Sequence, residues 1–469
     1  MQTAWGVAAM AGFAGLAGCV SLAPDYERPA AAIPDAWPQA AASAPADAAS
    51  APSAYNLGWQ ELVSSARLRE VIALALAHNR DLRVAWLTME QARAAYRIQD
   101  APTVPTINGN AGMTATRTPA EASSAGVDVI SRTYSVGLGL SAWELDVFGR
   151  VRSLSEAALQ TFLNTEQAQR STQLSLIADV ATAWLTLAAD QQLLVLAQQT
   201  LQSQQTTYQL TQQRQALGAV SGLALVQMQT SVEAARLSVA TAASQVQRDR
   251  HALALLTGRT VPDAWLPRPE DAEPAATVLV SVPEGLPSSV LQRRPDVLAA
   301  ERLLQAANAN IGAARAARFP RISLTATAGT ASRDLGDLFQ GGAWSFVPSV
   351  SLPIFDGGAG AAAVRQAEIT RDLRLASYDK AVQTAFREVA DALSVRASLA
   401  ERLAAQQALV LANQRAYEMA HARFQAGADT YLAALDAQRS LFSAQQALIT
   451  LRLTEQANRV TLYKVLGGG

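Results

Sequence analysis

The side chains able to do chemistry in this 469-residue chain are few and far apart. Cys19 is the single cysteine, so an internal disulfide or a thiolate metal cluster lacks its partners. His78, His251 and His421 are distant from one another. The latter two stand on long helical stretches without a second ligand at metal spacing and read as surface or seam histidines. Glu144 and Asp146 flank Leu145 just before a helical stretch. That position suits carboxylates that cap the helix and meet its N-terminal dipole better than an acid–base pair. Arg293-Arg294 reads as a solvated pair, and the six methionines are dispersed, with no soft-metal ladder. No nucleophile–base or metal constellation emerges, so neither an enzyme nor a cofactor is expected.

Composition points the same way. The chain is 50% hydrophobic but only 16% charged, against about 25% charged in ordinary soluble proteins. Its 38 basic and 39 acidic residues leave a net charge of −1, which argues against a nucleic-acid partner. No run of 18 or more apolar residues appears, so no membrane-spanning helix is expected. An Ala- and Gln-rich chain of this kind favours a structural or conduit role.

The N-terminus reads as an address. Gly6 to Ala17 has the length of a signal-peptide core, and Leu16-Ala17-Gly18-Cys19 resembles the lipobox of bacterial lipoproteins. Residues 1–18 are then a signal peptide, and Cys19 is the lipid attachment, its thiol carrying the diacylglycerol. Val20 follows, where inner-membrane lipoproteins commonly carry Asp. Residues 19–53 are Pro/Ala/Ser-rich, with prolines at 24, 29, 34, 38, 45 and 52. Such a segment cannot build a core and is expected to lie extended on another surface.

The remainder repeats itself. Tyr208, Arg214, Gly218, Leu223 and Gln229 recur 209 residues later as Tyr417, Arg423, Gly427, Leu432 and Gln438. Asp81, Pro105 and Ile107 recur 215 residues later as Asp296, Pro320 and Ile322. Two structural repeats follow, roughly 60–260 and 275–466. Each opens with an Ala-rich helix, about 66–99 and 295–317. Period-two alternation of apolar with small polar residues then marks strands at 106–116, 134–142, 322–328 and 344–354. Their length suits tilted transmembrane strands, although Pro348 and Pro353 are unusual inside a closed sheet. Four strands cannot close a membrane barrel, and an open edge in lipid is prohibitive. Two, three or four copies would have to share one barrel.

After each strand pair, residues 151–217 and 361–426 lack proline, and each predicts a helix on the order of 100 Å long. In the second, positions 386, 389, 393, 396, 400, 403, 407, 410, 414, 417, 421 and 424 step by three and four as a coiled-coil seam diluted with polar residues. Gly218 and Gly427 end the long helices, and Ser221 and Asp429 are placed to cap the next ones, making two helical hairpins. The segments are therefore 54–104, 105–145 (strands), 146–260 (hairpin), 261–294, 295–319, 320–356 (strands) and 357–466 (hairpin).

Several blocks resemble the outer-membrane efflux channels (TolC-like outer membrane factors), and most closely their OprM-like lipoprotein branch. Trp143-Glu144-Leu145-Asp146-Val147-Phe148-Gly149-Arg150 is similar to that branch's strand-to-helix junction, and Leu291-Gln292-Arg293-Arg294-Pro295-Asp296 to its second-repeat helix start. Ala314 to Pro320, Leu352 to Asp356 and Leu435 to Phe442 match further blocks. The resemblance implies an α+β membrane protein: a homotrimer sharing a 12-stranded transmembrane β-barrel, four strands per chain, continuous with a coiled-coil periplasmic tunnel. An equatorial collar would take in about 55–78, 262–290 and the C-terminal end. The channel would be passive and cofactor-free in the bacterial outer membrane, fed by a periplasmic adaptor and an inner-membrane resistance-nodulation-division (RND) transporter, exporting drugs or other amphiphiles.

The resemblance also implies a periplasmic gate, with Leu432 forming an apolar ring and Asp436 an acidic one. As i and i+4 they share a helix face one turn apart. Converging carboxylates repel one another and attract cations. Arg439 is placed to pair with Asp436 within or between chains. The plainer alternative is that Asp436 only answers the helix dipole. Other cargoes for the same duct are metal ions or secreted proteins, and a reading of another class is an envelope scaffold lipoprotein. A scaffold has no use for four amphipathic strands of membrane length.

Overall fold

A computed structural model describes residues 21–30, 33, 34, 37, 58–272 and 288–468. The signal peptide, Cys19 and collar residues 273–287 lie outside these. The chain divides into two units. One takes the described leader up to Ala30, Thr88–Glu166 and Ala299–Asp379; the other takes described residues up to Leu87, Gln167–Leu298 and Lys380 onward.

After a turn of helix at Trp59–Leu62 come α1 (Ala66–His78), α2 (Arg80–Asp100), β1 (Ile107–Thr118), β2 (Val129–Glu144), α3 (Arg150–Ala216) and α4 (Gly222–Thr257). The second half gives α5 (Pro295–Ala316), β3 (Arg321–Ser332), β4 (Gly342–Ser351), α6 (Ala359–Gln425) and α7 (Tyr431–Val465). The repeat is visible in the lengths: α3 and α6 both have 67 residues, and β1 and β3 both have 12. The single helix expected over 66–99 is broken at Asn79. Its side-chain Oδ1 accepts from Leu82 N (2.7 Å) as a cap, and its Nδ2 donates to Leu256 O (2.8 Å). Gly258, at φ +68°, lets α4 end against this break; a Cβ there would sit 2.3 Å from His78 O.

In the first unit the strands form one antiparallel sheet in the order β1-β2-β3-β4, with β1 and β4 as open edges. Ile107, Ala111 and Met113 face Leu140, Val136 and Tyr134; Leu138 and Leu140 face Ala328 and Ala326; Ala326 and Ala328 face Phe346 and Trp344. One apolar face therefore runs through all four strands. Asn108, Asn110, Thr114, Ser135, Thr327 and Ser345 share the other, with Thr327 and Ser345 hydroxyls 2.7 Å apart. β2 runs beyond its expected end through a bulge. Ala142 takes φ 45° and the register shifts between Leu140 and Trp143, so Trp143, not Ala142, continues the apolar face. Pro348 lies in edge strand β4, where a missing donor is tolerated, and Pro353 falls outside the strand. Asp146 caps α3 as expected, accepting from Val151 N (3.0 Å) and Arg152 N (2.8 Å). Glu144 does not cap; it binds the guanidinium groups of Arg150 (2.7 Å) and Arg321.

The second unit packs Leu68 and Ile72 of α1, Val180, Trp184 and Leu187 of α3, Leu253 of α4 and Tyr463 of α7 into one core. Trp184 Nε1 donates to Trp265 O (3.0 Å), and Arg67 pairs with Asp271 (2.8 Å), which draws α1 and α3 toward the segment after α4. By composition α3 does contain a stretch apolar enough to span a membrane, although no uninterrupted apolar run marks it. Its apolarity has a local cause, because Leu176 to Leu187 supplies the largest single share of this core. In α6 ten of the twelve expected seam positions are buried or partly buried, and two are not. Ala400 and Gln407 are exposed, and Leu399 and Gln406 are covered instead, with Gln406 Nε2 donating to Ala444 O (2.9 Å).

Candidate functional site

Both hairpins turn on a left-handed glycine. Gly218 (φ 74°) follows α3 and Gly427 (φ 72°) follows α6. Ala219 N donates to Arg214 O and Ala428 N to Arg423 O, each at 2.9 Å, closing the same glycine-stopped turn. Ser221 caps α4, its Oγ accepting from Ala224 N (3.3 Å). The N-cap of α7 is Thr430, one residue past the expected Asp429. Asp429 instead accepts from Thr430 N (2.7 Å) and from Arg423 Nε (3.1 Å), and these two bonds hold its carboxyl below the ordinary range. Its side chain thus closes the turn rather than the helix. Arg214 Nη2 reaches across to Gln425 O (3.0 Å), tying one tip to the other.

From Thr430 onward α7 divides into two faces. Tyr431, Ala434 and Leu435 are buried against Met228 and Phe424. Leu432, Asp436 and Arg439, at i, i+4 and i+7, stand together on the exposed face, with Leu432 53% exposed. The three candidate gate residues are therefore brought onto one stripe beside the tip. Among the described residues Asp436 and Arg439 form no ion pair with each other. That leaves an acidic and an apolar group free to face whatever lies across the tip.

Sequence reasoning missed what holds this stripe in place. Gln204 of α3, 5% exposed, donates to Gln438 Oε1 (2.6 Å) and accepts from the Tyr431 hydroxyl (3.0 Å). Gln438 in turn donates to Ser203 Oγ (3.4 Å). The network borders a cavity of about 120 Å³ lined by Ser231, Leu435, Arg439 and Phe442 among others. Its one sequence signal is that Tyr431 and Gln438 are seven apart, polar at positions a seam would fill with apolar residues.

Farther from the tip, Arg294 corrects the expectation of a solvated arginine pair. It is 7% exposed, pairs with Asp296 (2.7 Å) and Glu388 (2.8 Å), and donates to Val465 O (2.8 Å). Burial disfavours its charge, but the two carboxylates outweigh burial and raise its pKa. In the first hairpin, burial pushes the Asp190 carboxyl up to about 7, assisted by Asp249 hydrogen-bonded beside it. Among the described residues no group of three or more His, Cys, Asp or Glu is placed to hold a metal. His421 stacks on Tyr417, with ring centroids 5.4 Å apart.

Cys19, the expected lipid attachment, lies outside the described residues. The leader just after it does lie on another surface. Arg28 binds buried Glu301 of α5 through two 2.7 Å bonds, the Tyr26 hydroxyl donates to the same carboxylate, and Asn308 Nδ2 donates to Pro24 O (2.7 Å). At Gly312 a Cβ would sit 2.8 Å from Ala23, so glycine admits the leader's backbone.

Comparison with known proteins bears on both the sheet and the hairpins. The sequence matches the outer membrane efflux protein family over residues 71–259 and 286–468, the two expected repeats. It is 47% identical over 456 residues to the probable efflux pump outer membrane protein TtgC of Pseudomonas putida, covering 97% of this chain and 93% of that one. Outer membrane protein OprJ of Pseudomonas aeruginosa is 42% identical, covering 100% and 96%. Among solved structures, the open state of the Neisseria gonorrhoeae MtrE outer membrane channel superposes with a TM-score of 0.84 at 36% identity, covering 96% and 98%.

Proposed function

Because the chain belongs to the outer membrane efflux protein family, we propose that it is the exit duct of a tripartite pump, passively conducting drugs and other amphiphiles from a periplasmic complex to the outside. One observation carries this: a four-stranded sheet whose apolar face lies open and whose edge strands β1 and β4 lack partners among the described residues. Ile107 is 70% exposed, Trp344 81% and Val350 67%, a surface suited to lipid and unsuited to water. Three chains joined edge to edge give twelve strands with no open edge. The Asn, Ser and Thr face then lines the lumen.

The same reading gives the stripe on α7 its work. Three Leu432 side chains around the axis exclude water, and three Asp436 carboxylates one turn away gather cations. Cys19, acylated, adds a lipid anchor to the barrel. The duct does no chemistry of its own. A periplasmic adaptor and an inner-membrane RND transporter supply substrate and energy, and the transporter selects the cargo. Cross-linking in living cells followed by mass spectrometry tests this. Recovery of an RND transporter with its adaptor is expected; an ABC-type exporter would keep the duct and change its cargo to proteins or peptides. A helical monomer in detergent, instead of a heat-sensitive trimer containing strands, would sink the duct altogether.

A further inference from the structure

We propose that Arg132, with Tyr134 and Arg117, binds the phosphate of an anionic lipid at the outer rim of the barrel. Register places all three on the apolar face of the sheet: Arg132 lies opposite Ala115, Tyr134 opposite Met113, and Arg117 opposite Ile130. Arg117 and Arg132 are thus diagonal neighbours on one face, within reach of a shared ligand for side chains of their length. Elsewhere that face reads Ile107, Ala111, Val136, Leu138 and Leu140, then Ile322 to Ala328 and Trp344 to Val350 on alternate positions. The two arginines are the only charged side chains on it in the four strands.

Their depth is fixed by topology. β1 is entered from α2 and β2 leaves toward α3, so the end carrying the 119–128 loop is the one away from the helices. In the duct reading, on which this proposal rests, that end faces the outside of the cell. Arg132 is three residues from the start of β2. At about 3.3 Å per residue and a strand tilt near 40°, it sits roughly 8 Å below that end. This is the level of lipid headgroups rather than of the hydrocarbon midplane.

The charges there are unevenly satisfied. Arg117 pairs with Asp128, whose other oxygen accepts from Ala120 N (2.9 Å), so that carboxylate is committed to closing the loop. Glu121 lies in the short turn Ala120–Ala122 of the same loop. Among the described residues Arg132 makes no hydrogen bond or ion pair, and neither does the Tyr134 hydroxyl. A guanidinium facing lipid without a partner is unfavourable, and its long stem lets it reach the interface. There its planar fork matches the oxygens of a phosphate, the phenol adds one donor, and Arg117 retains donors beyond the bond to Asp128.

The test uses the full-length protein purified in detergent as its assembled oligomer. Lipid A, the phosphorylated glycolipid of the bacterial outer leaflet, is titrated against it and retention is read by native mass spectrometry. Arg132→Gln is expected to weaken binding about tenfold, the value of one hydrogen bond to a charged group, and Arg117→Gln in addition to weaken it further. Arg132→Lys should recover part of the loss. Lipid A stripped of its phosphates should bind wild type and variants alike, and weakly. Equal binding of lipid A to wild type and Arg132→Gln would overturn the site, as would wild-type binding that ignores the phosphates. Displacement of lipid A by millimolar inorganic phosphate would make this a free-anion site and equally overturn the lipid assignment. Heat-sensitive migration of the oligomer, checked for each variant, reports the barrel separately, so a failed barrel and a failed site give different results.

Discussion

Hairpin α3–α4 and hairpin α6–α7 have long arms of equal length and turn on equivalent glycines, yet they bury their apolar side chains at different levels. Position for position, 209 residues apart, Trp184 of the first is fully buried and Leu393 of the second is only half-buried. Between 176 and 189, α3 buries most of its side chains. The matching stretch of α6 buries Ala385, Val389 and Ala392 and leaves much of the rest in partial contact. The second hairpin places its apolar burial elsewhere, largely on α7 at Leu441, Ile449, Leu451, Val460, Leu462 and Tyr463. It adds polar ties: Arg294 on Glu388, Arg423 on Asp429, and Gln204 on Tyr431 and Gln438. Burying one large apolar side chain stabilises by about 1.5–3 kcal/mol, whereas a neutral hydrogen bond nets about 0.5–1.5 kcal/mol. The stretch 176–189 of α3 is therefore held more firmly than the matching stretch of α6.

The most direct way to break this contrast is to cut the same position on both sides. Trp184→Ala should cost about 3–5 kcal/mol, as for a fully buried aromatic. Leu393→Ala should cost about 1 kcal/mol, because solvent already reaches the side chain. Thermal melting of the helical signal in detergent reads both. Equal losses would mean that the hairpins are anchored alike.

The first hairpin also holds a charge it would be better without. With the Asp190 carboxyl pushed up to about 7 by burial and by Asp249, the folded chain binds a proton between about pH 4 and 7 that the unfolded chain has already released. Stability from this pair is thus greatest at low pH and is lost as pH rises toward 7. Asp190→Asn should flatten that loss and raise stability at pH 8 by roughly 1–2 kcal/mol, a figure reduced for partial solvent exposure. Melting at pH 5 and pH 8 decides it. An unchanged gap between the two would show that the carboxylates do not share a proton.

These two hairpins also show why some of the molecule is legible in its sequence. Gly218 and Gly427 end their helices because no other residue enters the left-handed region so easily, and that rule is local. The strands are legible for a related reason. Each side of the sheet meets a single kind of surroundings, so alternation survives in Ile107 to Thr116 and in Ile322 to Ala328 without interruption. Legibility fails where partners come from far along the chain. Arg294 beside Arg293 looks solvated until Glu388 and Val465 are brought to it. Asn79 breaks a helix because Leu256 offers a carbonyl. The seam of α6 yields to Leu399 and Gln406 at two positions only, and at Gln406 α7 supplies the carbonyl of Ala444. Within the candidate site, the stripe at 432, 436 and 439 follows from spacing alone, whereas the Gln204 network that positions it does not.

That network gives a third and smaller test. Tyr431→Phe and Gln438→Leu each remove one side of it and should cost about 1 kcal/mol. If the network restrains the second hairpin specifically, trypsin should cut faster after Arg423 in both variants and no faster after Arg214. Acceleration at both arginines would mean that the tips loosen as one body, and the contrast between the hairpins would not extend to their ends.

The smallest effect on stability should accompany the largest on conduction. Gln227 and Asp436 are equivalent positions of the two hairpins, as are Leu223 and Leu432, and both leucines are exposed, 69% and 53%. Backbone geometry at the two glycine turns is matched, at φ 74° and 72°, and on the exposed stripe Asp436 and Arg439 stand where the first hairpin has Gln227 and Thr230. Among the described residues Asp436 makes no hydrogen bond or ion pair, so the stability of Asp436→Ala should stay within about 0.5 kcal/mol of wild type. If three such carboxylates line a constriction, removing them widens it and takes away the negative charge that gathers cations. Planar-bilayer recordings should then show higher conductance and weaker cation selectivity for Asp436→Ala, with Gln227→Ala unchanged in both. Equal responses would assign the gate to the tips as a pair, and no response from Asp436→Ala would leave that carboxylate as a residue that only answers its helix dipole.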